Sequence, residues 1–315
     1  MSRGSRNSLP NVEKERALEP TLKLRDRMIQ AIRAFFEANG YLHVETPCLI
    51  PAPAPEAHID AIRAGDLYLQ PSPELCMKRL LSNGFSRIFQ ISKCFRDKER
   101  GALHLPEFTM LEWYRTGIDY TVLMEECQDL FLFVCESLHL QEPVCYGGRD
   151  IDFRPPWERL SVADAFKSLA SIPLKEALEK DLFEEVMVVE IEPHLGWGKP
   201  TFLFDYPASM AALARLRKDN RVVAERFEIY VGGLELANGF SELNDAEEQR
   251  TRFEEERRKR AASQRPVYPV PEKFLDALPS MPDAAGIALG IDRLAMILTD
   301  ATSIDQVVAF VPETL

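Results

Sequence analysis

The chain has 315 residues, of which 46% are hydrophobic and 28% charged, a composition that excludes a wholly disordered or fibrous protein. Its 50 acidic and 38 basic residues give a net charge of −12, which argues against a basic nucleic-acid-binding module. The absence of a long apolar run, of a signal-peptide core and of CxxC spacing among six cysteines indicates a cytoplasmic enzyme without membrane contact or a disulfide framework.

The N-terminal part predicts a polar tail and then a helix. Residues 1–20 lack hydrophobic periodicity, so we interpret them as a mobile tail before a single domain at residues 21–315. Between Leu22 and Phe36 apolar residues recur on one helical face, and Asn39-Gly40 supplies a stop signal. This helix opens the predicted domain.

Short strands and a second helix are expected next. Residues 41–45 predict a strand, and the prolines of residues 51–55 require an extended connection. Two further short strands are expected around Gly65. Ser72-Pro73-Glu74 then has the pattern of a helix start, with an end expected near Asn83-Gly84.

The middle of the chain predicts a hairpin followed by helices. Residues 87–96 and 107–114 are rich in β-forming residues and flank a charged loop, which is typical of an antiparallel hairpin. Residues 122–138 predict a buried helix. We interpret residues 139–200 as an insertion of helices within the domain, with a capping box at Ser161–Asp164.

The C-terminal third contains a second hairpin and a charged helix. Strands are expected at residues 201–205 and on both sides of the turn at Gly232-Gly233. Residues 245–260 carry six acids and six bases, which favours a solvated helix face. Gly286–Arg293 predicts a strand-to-helix junction, but it is not a dinucleotide fingerprint, and the chain has no GxxxxGK[ST] loop. The fold class is therefore α+β, with antiparallel strands between helices.

Three glutamates spaced by seven residues are candidate metal and substrate ligands. Glu228, Glu235 and Glu242 lie on or just after the strands of the second hairpin. Carboxylates on adjacent strands supply the oxygen ligands that Mg²⁺ prefers, although solvated acids on an exposed sheet would give the same pattern. Strict alternation places Glu235 and Glu242 on opposite faces, unless Asn238-Gly239 breaks the strand and resets its parity.

Arg96 and Arg293 are candidate phosphate ligands. A guanidinium group binds phosphate in a two-point fork or lies against adenine, and Phe108 can supply an opposite stacking face. An arginine paired with a neighbouring acid is the alternative for each of them. His104 lies in the first hairpin loop, where a phosphate contact and a packing role are both open.

Together these segments resemble the three motifs of class II aminoacyl-tRNA synthetases, in order. The matching segments are Thr46-Pro47, Phe95-Arg96 with residues 104–114, residues 235–243 and Gly286–Arg293. The likeness is strongest to the lysyl branch, and within it to the elongation factor P–lysine ligase family, a paralogue of the lysyl-tRNA synthetase catalytic domain. It covers about residues 20–312. An anticodon-binding OB-fold is not expected, because only about twenty residues precede the first helix.

The resemblance implies roles for individual residues in binding ATP, Mg²⁺ and an amino acid. Arg96 would bind the α-phosphate and the carboxylate, and Arg293 the γ-phosphate and adenine, as the two catalytic groups. The implied ATP-binding residues are Arg96, Asp97, Lys98, Leu105, Phe108, Glu235, Leu236, Gly290 and Arg293. The implied ligands for Mg²⁺ are Glu228 and Glu235. The implied amino-acid site consists of Ser72, Pro73, Glu74, Tyr114 and Glu242, with Glu112 as an additional negative group.

The sequence departs from the family pattern at three places. Asp97-Lys98 stands where the family has Asn-Glu, and Leu105 stands where it has Asn, so Leu105 would contact ATP through backbone or packing. Ala288 replaces a glycine of the synthetases, as in the ligase branch. One added methyl group beside the pocket is worth about 1–3 kcal/mol of discrimination.

The resemblance implies an ATP-dependent ligase that activates lysine, or more readily β-lysine, as an aminoacyl-adenylate and transfers it to a lysine of elongation factor P. A truncated lysine–tRNA ligase is the alternative enzyme, although tRNA is not the expected main substrate. An inactive regulatory paralogue that binds an amino acid is the alternative from another class. By the same resemblance we expect a homodimer, formed through the helix at residues 22–39 and the region of Pro47.

Overall fold

The computed structural model describes the chain from Asn11 to Leu315, and its side chains from residue 18 onwards. The α-helices within this range are α1 (Asn11–Ala38), α2 (Glu74–Ser82), α3 (Tyr120–Ser137), α4 (Val162–Leu169), α5 (Leu174–Glu179), α6 (Phe183–Val186), α7 (Ala246–Ala262), α8 (Glu272–Ala277) and α9 (Ile291–Leu298). The strands are β1 (Leu42–His43), β2 (Leu49–Ile50), β3 (Arg63–Ala64), β4 (Leu67–Leu69), β5 (Arg87–Phe95), β6 (Glu107–Thr116), β7 (Val144–Tyr146), β8 (Arg149–Ile151), β9 (Glu158–Ser161), β10 (Thr201–Pro207), β11 (Val223–Val231), β12 (Leu234–Ser241) and β13 (Ala284–Gly290). No helix in this range is long and apolar enough to cross a membrane.

One large sheet organises these elements. Its eight strands lie in the order β1, β5, β6, β13, β12, β11, β10, β9. All neighbouring pairs are antiparallel except the two outermost, β1 with β5 and β9 with β10. The predicted α+β class and both predicted hairpins are confirmed. The turn between β11 and β12 uses Gly232 and Gly233 at positive φ (58° and 78°), where glycine is favoured.

The two faces of the sheet carry different layers. On one face α1, α3 and α9 bury the main apolar core, in which Phe36 stacks on Phe89 at 4.7 Å and lies 5.2 Å from Trp113. On the opposite face α2 and α8 pack at one end, around Ile88 and Tyr114. Helices α4 to α6 pack at the other end of that face, on β10 and β11. The four central strands between these two groups are left as the floor of a cavity.

The N-terminal helix is longer than the sequence predicted. Residues 11–20 were expected in a mobile tail, but α1 begins at Asn11 and continues through Pro20. The prediction relied on apolar periodicity, whereas residues 11–19 are rich in Glu, Lys, Arg and Ala, which favour a helix without such a stripe. Residues 1–10 of the predicted tail lie outside the described residues.

Residues 139–200 contain more strand than expected. The predicted helices are present as α4 to α6, and Ser161 accepts a hydrogen bond from the Asp164 amide (3.1 Å), as expected for the cap. The hairpin β7–β8 and the edge strand β9 are additional. Short strands of three or four residues give too little alternation to be distinguished from loops in the sequence.

The side chains of β12 change their alternation between the two sheet faces at a different place from the one predicted. Asn238-Gly239 stays paired with both β11 and β13, and the register shift lies between Ile229 and Tyr230, opposite Leu236. Leu236 is therefore the extra residue of a bulge. Glu235 before it, and Asn238 and Phe240 after it, all line the cavity.

The charged helix α7 is not simply a solvated face. Glu254 and Arg258 form the predicted ion pair, at 3.8 Å. The predicted pair of Glu256 with Arg260 does not form, because the Arg260 side chain is completely buried. Its guanidinium group donates to the carbonyl oxygens of Glu56 (2.7 Å) and Ile59 (2.8 Å). The prediction of a solvated face was therefore wrong at Arg260. The segment at residues 56–61 lies across α7, and its buried carbonyl groups need hydrogen-bond donors.

Candidate active site

A cavity of about 600 Å³ opens on the sheet face between the two helical groups. Its floor is built by alternate residues of the central strands, because successive side chains of a strand point to opposite faces. The floor residues are Phe108, Met110, Glu112 and Tyr114 of β6, Gly286, Ala288 and Gly290 of β13, Asn238 and Phe240 of β12, and Arg226 and Glu228 of β11. A volume of this size is typical of sites for small molecules and cofactors.

The cavity brings together most of the predicted site residues. Those that line it are Ser72, Glu74, Arg96, Leu105, Phe108, Tyr114, Glu228, Glu235, Leu236, Gly290 and Arg293. Pro73, Asp97, Lys98 and Glu242 do not line it. Leu105 is 3% exposed and packs into the main apolar core, so its side chain belongs to both the core and the cavity wall. The individual roles implied by the resemblance stay predictions.

Arg96 directly follows β5 and lies against Phe108. Its guanidinium carbon is 5.0 Å from the centroid of the Phe108 ring, and its amide donates to the Pro106 carbonyl at 2.9 Å. The nearest carboxylate is Glu99, at 3.8 Å. Within the described residues the buried Nε of Arg96 has no hydrogen-bond partner. This guanidinium group therefore retains donors for an anionic ligand.

Arg293 lies in the first turn of α9, and two neighbouring residues contact its guanidinium group. It donates to the backbone oxygen of Glu235 (2.6 Å) and meets Nε2 of His104 at 2.6 Å. Burial and the Arg293 guanidinium lower the pKa of His104, so the ring is neutral and its Nε2 accepts from Arg293. The two alternatives for His104, phosphate contact and packing, thus gain a third, orientation of Arg293. The Glu235 carboxylate lies 3.5 Å from the same arginine.

Asp292 fixes the strand-to-helix junction beside Arg293. Its carboxylate accepts from the amide of Thr109 (2.7 Å) and from Arg25 of α1 (2.6 Å). The three elements β6, α9 and α1 therefore meet at one buried carboxylate. The sequence showed Asp292 only as part of the junction and gave no signal for this contact.

Glu228 and Glu235 lie close together at the β11–β12 end of the cavity. Glu228 accepts hydrogen bonds from Tyr206 (2.6 Å) and Tyr230 (2.7 Å) and from Arg226 (2.6 Å). Burial, followed by the charge of Glu235, raises the pKa of Glu228. Burial and the charges of Glu228 and Glu235 raise the pKa of Glu192, which sequence reasoning missed, to about 7. These three carboxylates repel one another.

At the opposite end of the cavity Glu74 and Glu112 line an acidic pocket, and the buried Lys78 and Glu242 lie next to it without lining the cavity. Lys78, 1% exposed, lies 2.5 Å from Glu74 and 2.5 Å from Glu242. Burial alone would lower the pKa of Lys78, but the carboxylates of Glu242 and Glu74 outweigh it and raise that pKa. Burial raises the pKa of Glu242, and the Lys78 ammonium opposes this. Sequence reasoning missed Lys78, although its spacing of four from Glu74 on a helix was a usable signal.

Glu112 completes the acidic pocket. It accepts hydrogen bonds from Ser72 Oγ (2.6 Å) and from the Tyr114 hydroxyl (2.7 Å). Burial and the nearby Glu74 raise the pKa of Glu112 to about 7. A Cβ atom at Gly286 would lie 2.2 Å from the Tyr114 ring, so glycine at this position is required for Tyr114 to reach Glu112. The pocket thus contains three carboxylates and one ammonium group.

Asp97 and Lys98 lie outside the cavity, away from both of its ends. The Lys98 side chain is 78% exposed and lies 3.7 Å from Asp97. The Asp97 amide donates to the carbonyl of Asp60 (2.7 Å). These contacts connect the loop after β5 with the segment before β3, and neither side chain enters the cavity.

Comparison with known proteins identifies the family. A family model described as class II tRNA synthetases (D, K and N) matches residues 6–314. The chain belongs to the class II aminoacyl-tRNA synthetases. This family membership makes the protein an enzyme of the ligase class, and the predicted motifs are confirmed as those of the family.

Curated relatives of this synthetase-like chain are named elongation factor P--(R)-beta-lysine ligase. The protein of Salmonella gallinarum is 42% identical over 308 residues, which cover 92% of this chain and 94% of the relative. The protein of Salmonella typhi is 41% identical over 310 residues, with the same coverage of both chains. The predicted resemblance to the elongation factor P–lysine ligase family is therefore confirmed.

Proposed function

We propose that the protein activates lysine or (R)-β-lysine with ATP and transfers the aminoacyl group to a lysine side chain of elongation factor P. The observation that carries the proposal is one cavity with arginines at one end and a buried acidic pocket at the other. The names of the relatives support (R)-β-lysine and elongation factor P as the substrates. We assign the reaction to the domain at residues 21–315 and to the cytoplasm, where translation takes place.

In the first step a carboxylate oxygen of the amino acid attacks the α-phosphorus of ATP. The bond to the β-bridging oxygen breaks, pyrophosphate leaves, and an aminoacyl-adenylate forms. Arg96 and Arg293 neutralise the negative charge that grows on the phosphates and hold the reactants in line. No covalent nucleophile on the protein is required. Phe108, Leu236 and Gly290 would contact the nucleotide around its base.

Glu228 and Glu235 fit a cation of the ATP complex. Burial and then the charge of Glu235 raise the pKa of Glu228, and a divalent cation held by these two glutamates would favour its ionised form. Within the described residues no group of three or more His, Cys, Asp or Glu side chains has the arrangement of a complete metal site. Mg²⁺ is commonly bound by one or two carboxylates together with substrate phosphates, and there it would neutralise phosphate charge. The two glutamates would hold this ion with ATP already bound.

The acidic pocket fits the ammonium group at the far end of a diamino acid. Glu74, Glu112 and Glu242 carry three formal negative charges, and Lys78 supplies one positive charge. A buried charge needs a partner, and a protonated amine entering the pocket supplies one. Ser72 and Tyr114 orient Glu112 toward it.

In the second step the ε-amine of the acceptor lysine attacks the carbonyl carbon of the adenylate. An amide bond forms, AMP leaves, and the amine loses a proton. The protein acceptor distinguishes this ligase from a lysine–tRNA ligase.

Amino-acid-dependent exchange between ATP and pyrophosphate tests the first step. We expect exchange with lysine or a β-lysine enantiomer, and its loss in Arg293→Ala with an unchanged circular dichroism spectrum. A wild-type protein without exchange on lysine and both β-lysine enantiomers would instead favour the inactive regulatory paralogue. Exchange retained in Arg293→Ala would show that the nucleotide does not bind at the arginine end.

The acceptor is tested by offering purified elongation factor P and tRNA in the same reaction. We expect elongation factor P to gain the mass of one aminoacyl group while tRNA stays uncharged. Acylated tRNA with unmodified elongation factor P would replace the proposal by a lysine–tRNA ligase.

We also propose a homodimer formed through α1 and the segment after it. Leu42 (51% exposed) and Leu49 (47% exposed) place apolar surface beside the C-terminal end of that helix. Light scattering should give twice the chain mass, and Leu42→Glu with Leu49→Glu should give the monomer. A monomeric wild-type protein would contradict this part.

A further inference from the structure

Arg260 is a buried cation that the proposed reaction does not use. It lies on the charged helix α7, yet its side chain is completely buried. Besides carbonyl groups of the segment at residues 56–61, it contacts the Asp60 carboxylate at 2.6 Å and the Tyr268 hydroxyl at 2.9 Å. The same hydroxyl accepts a hydrogen bond from the Ala61 amide at 2.7 Å. A buried guanidinium group with several partners fixes the backbone that surrounds it.

The segment held by Arg260 lies between two cavities. Glu56, His58 and Ile59 line the large cavity, and Glu56 also lines a second cavity of about 270 Å³. Apolar residues of the β2–β3 segment, α2 and α8 form most of this second cavity. Because the segment has space on two sides, less packing against the core holds it than holds a core strand. Its position therefore depends more on its hydrogen bonds to α7.

The same segment is connected to the loop after β5. The Asp60 carbonyl accepts a hydrogen bond from the Asp97 amide at 2.7 Å. Asp60 is thus held by Arg260 through its carboxylate, and it holds Asp97 through its carbonyl group. Asp97 directly follows Arg96, the arginine proposed to act on the phosphates. A continuous series of hydrogen bonds therefore runs from α7 to the backbone beside Arg96.

The side chain of Arg96 relies on its backbone for its place in the cavity. Its nearest carboxylate, Glu99, is 3.8 Å away, too far for a direct hydrogen bond. Lys98, two residues later, has a φ of 63°, in the left-handed region that favours glycine. A turn of this kind keeps its shape only where neighbouring contacts hold it. The hydrogen bond from Asp97 to Asp60 is such a contact.

We propose that Arg260 is a positioning residue for the activation step, and that it sets the position of Arg96 through Asp60 and the Asp97 amide. The inference rests on the proposed function and adds to it a residue that does not line the large cavity. A misplacement of about 1 Å in the reacting geometry can cost about a hundredfold in rate. The charged helix α7 thus contributes to the chemistry from outside the site.

Hydrogen exchange tests the connection from Arg260 to Asp97 without ATP or any chemical step. Arg260→Lys keeps the charge but loses the fork of donors, so peptides that contain the Asp97 amide should exchange their hydrogens about tenfold faster. Tyr268→Phe removes one partner of Arg260 and should give a smaller increase at the same amide. The matched control Arg258→Lys, at a 78% exposed residue of the same helix, should leave this amide unchanged.

Pyrophosphate exchange tests the role of Arg260 in the reaction. Arg260→Lys should lower kcat about tenfold to a hundredfold, and the KM for ATP should change less than about threefold because Arg293 stays in place. In the Arg96→Ala background the same substitution should reduce the residual rate by less than about threefold, because it acts through Arg96. Arg258→Lys should keep the wild-type kcat.

Three results would overturn the inference while the proposed function stands. Unchanged hydrogen exchange at Asp97 in both Arg260→Lys and Tyr268→Phe would show that α7 does not hold the loop. Faster hydrogen exchange with an unchanged kcat would show that Arg260 has a structural role alone. The full loss of rate in the Arg96→Ala background would show that Arg260 acts on the fold as a whole and not through Arg96.

If Arg260→Lys does not fold, Tyr268→Phe decides the inference by the same two measurements, with smaller expected changes. A wild-type protein without pyrophosphate exchange would overturn the proposed function and with it the role in activation. Faster hydrogen exchange in Arg260→Lys would in that case still support the connection from α7 to Asp97, so the two failures are distinguishable.

Discussion

At the acidic end of the cavity Lys78 is 1% exposed and lies 2.5 Å from two carboxylates, whereas at the other end Arg96 and Arg293 stay 24% and 21% exposed. Their carboxylate neighbours are also more distant, at 3.8 Å and 3.5 Å. The acidic end pairs part of its charge inside the protein, through Lys78, so its residues contribute to folding as well as to binding. The arginine end leaves its charges available to an anion, so its residues contribute mainly to chemistry.

The largest expected difference between the two ends is in stability. Lys78→Met removes the cation between Glu74 and Glu242, and breaking a buried ion pair from one side costs roughly 3–5 kcal/mol. Denaturant unfolding should show this loss in the free energy of unfolding. Lys93→Met is the matched control, because Lys93 is 51% exposed and its pair with Glu107 (3.4 Å) is worth at most about 1 kcal/mol. Equal stability of the two variants would mean that the acidic end is not held by Lys78.

The next effect is on the choice of amino acid. Ala288 lies opposite Glu112 on β6 and Asn238 on β12, beside the acidic pocket. Ala288→Gly removes one methyl group and should shift the ratio of kcat/KM for (R)-β-lysine and lysine toward lysine by about tenfold to a hundredfold. The KM for ATP should stay within twofold. An unchanged ratio would show that the shape of the pocket at residue 288 does not select the substrate.

A smaller effect is expected from pH. An ammonium ligand favours the ionised form of Glu112, so binding lowers its pKa from about 7 and releases a proton below that pH. Affinity should therefore rise with pH, and calorimetry should find lysine bound about tenfold more tightly at pH 8 than at pH 6. Glu112→Gln should reduce this difference, and the remainder would come from Glu242, whose pKa burial also raises. Equal affinity of the wild type at both pH values would mean that Glu112 does not face the ammonium.

The smallest effect is expected at the loop after β5. Lys98 is 78% exposed and outside the cavity, so Lys98→Ala should change kcat/KM for ATP less than threefold. Arg96→Ala, two residues earlier, is the contrast and should lower pyrophosphate exchange at least a hundredfold. A large loss in Lys98→Ala would show that the loop closes over the nucleotide.

Sequence reasoning predicted the parts of the molecule that depend on local pattern and on motif order. The hairpin β5–β6, the turn at Gly232-Gly233 and the junction before Arg293 carry clear local signals, and the structure has them where expected. The motif order then grouped the arginines with Glu235. These residues do line one cavity.

What the sequence did not show depends on contacts between distant segments. Lys78 and Arg260 have the appearance of surface charges on helices, and only the packing of α2 and α7 buries them. Glu56 sits among prolines and has no recognisable pattern, yet it lines both cavities. The sequence predicted the break in alternation at Asn238-Gly239, two residues after the bulge that the structure has at Leu236. A single extra residue in a strand leaves no unique pattern in the sequence.

The most direct test is a crystal structure with a stable sulfamoyl analogue of lysyl- or β-lysyl-adenylate. We predict the sulfamoyl group between Arg96 and Arg293, and the terminal ammonium within hydrogen-bond distance of Glu112 or Glu242. An analogue whose adenine and diamine lie elsewhere, with these side chains free of contact, would contradict the assignment of one cavity to both halves of the reaction.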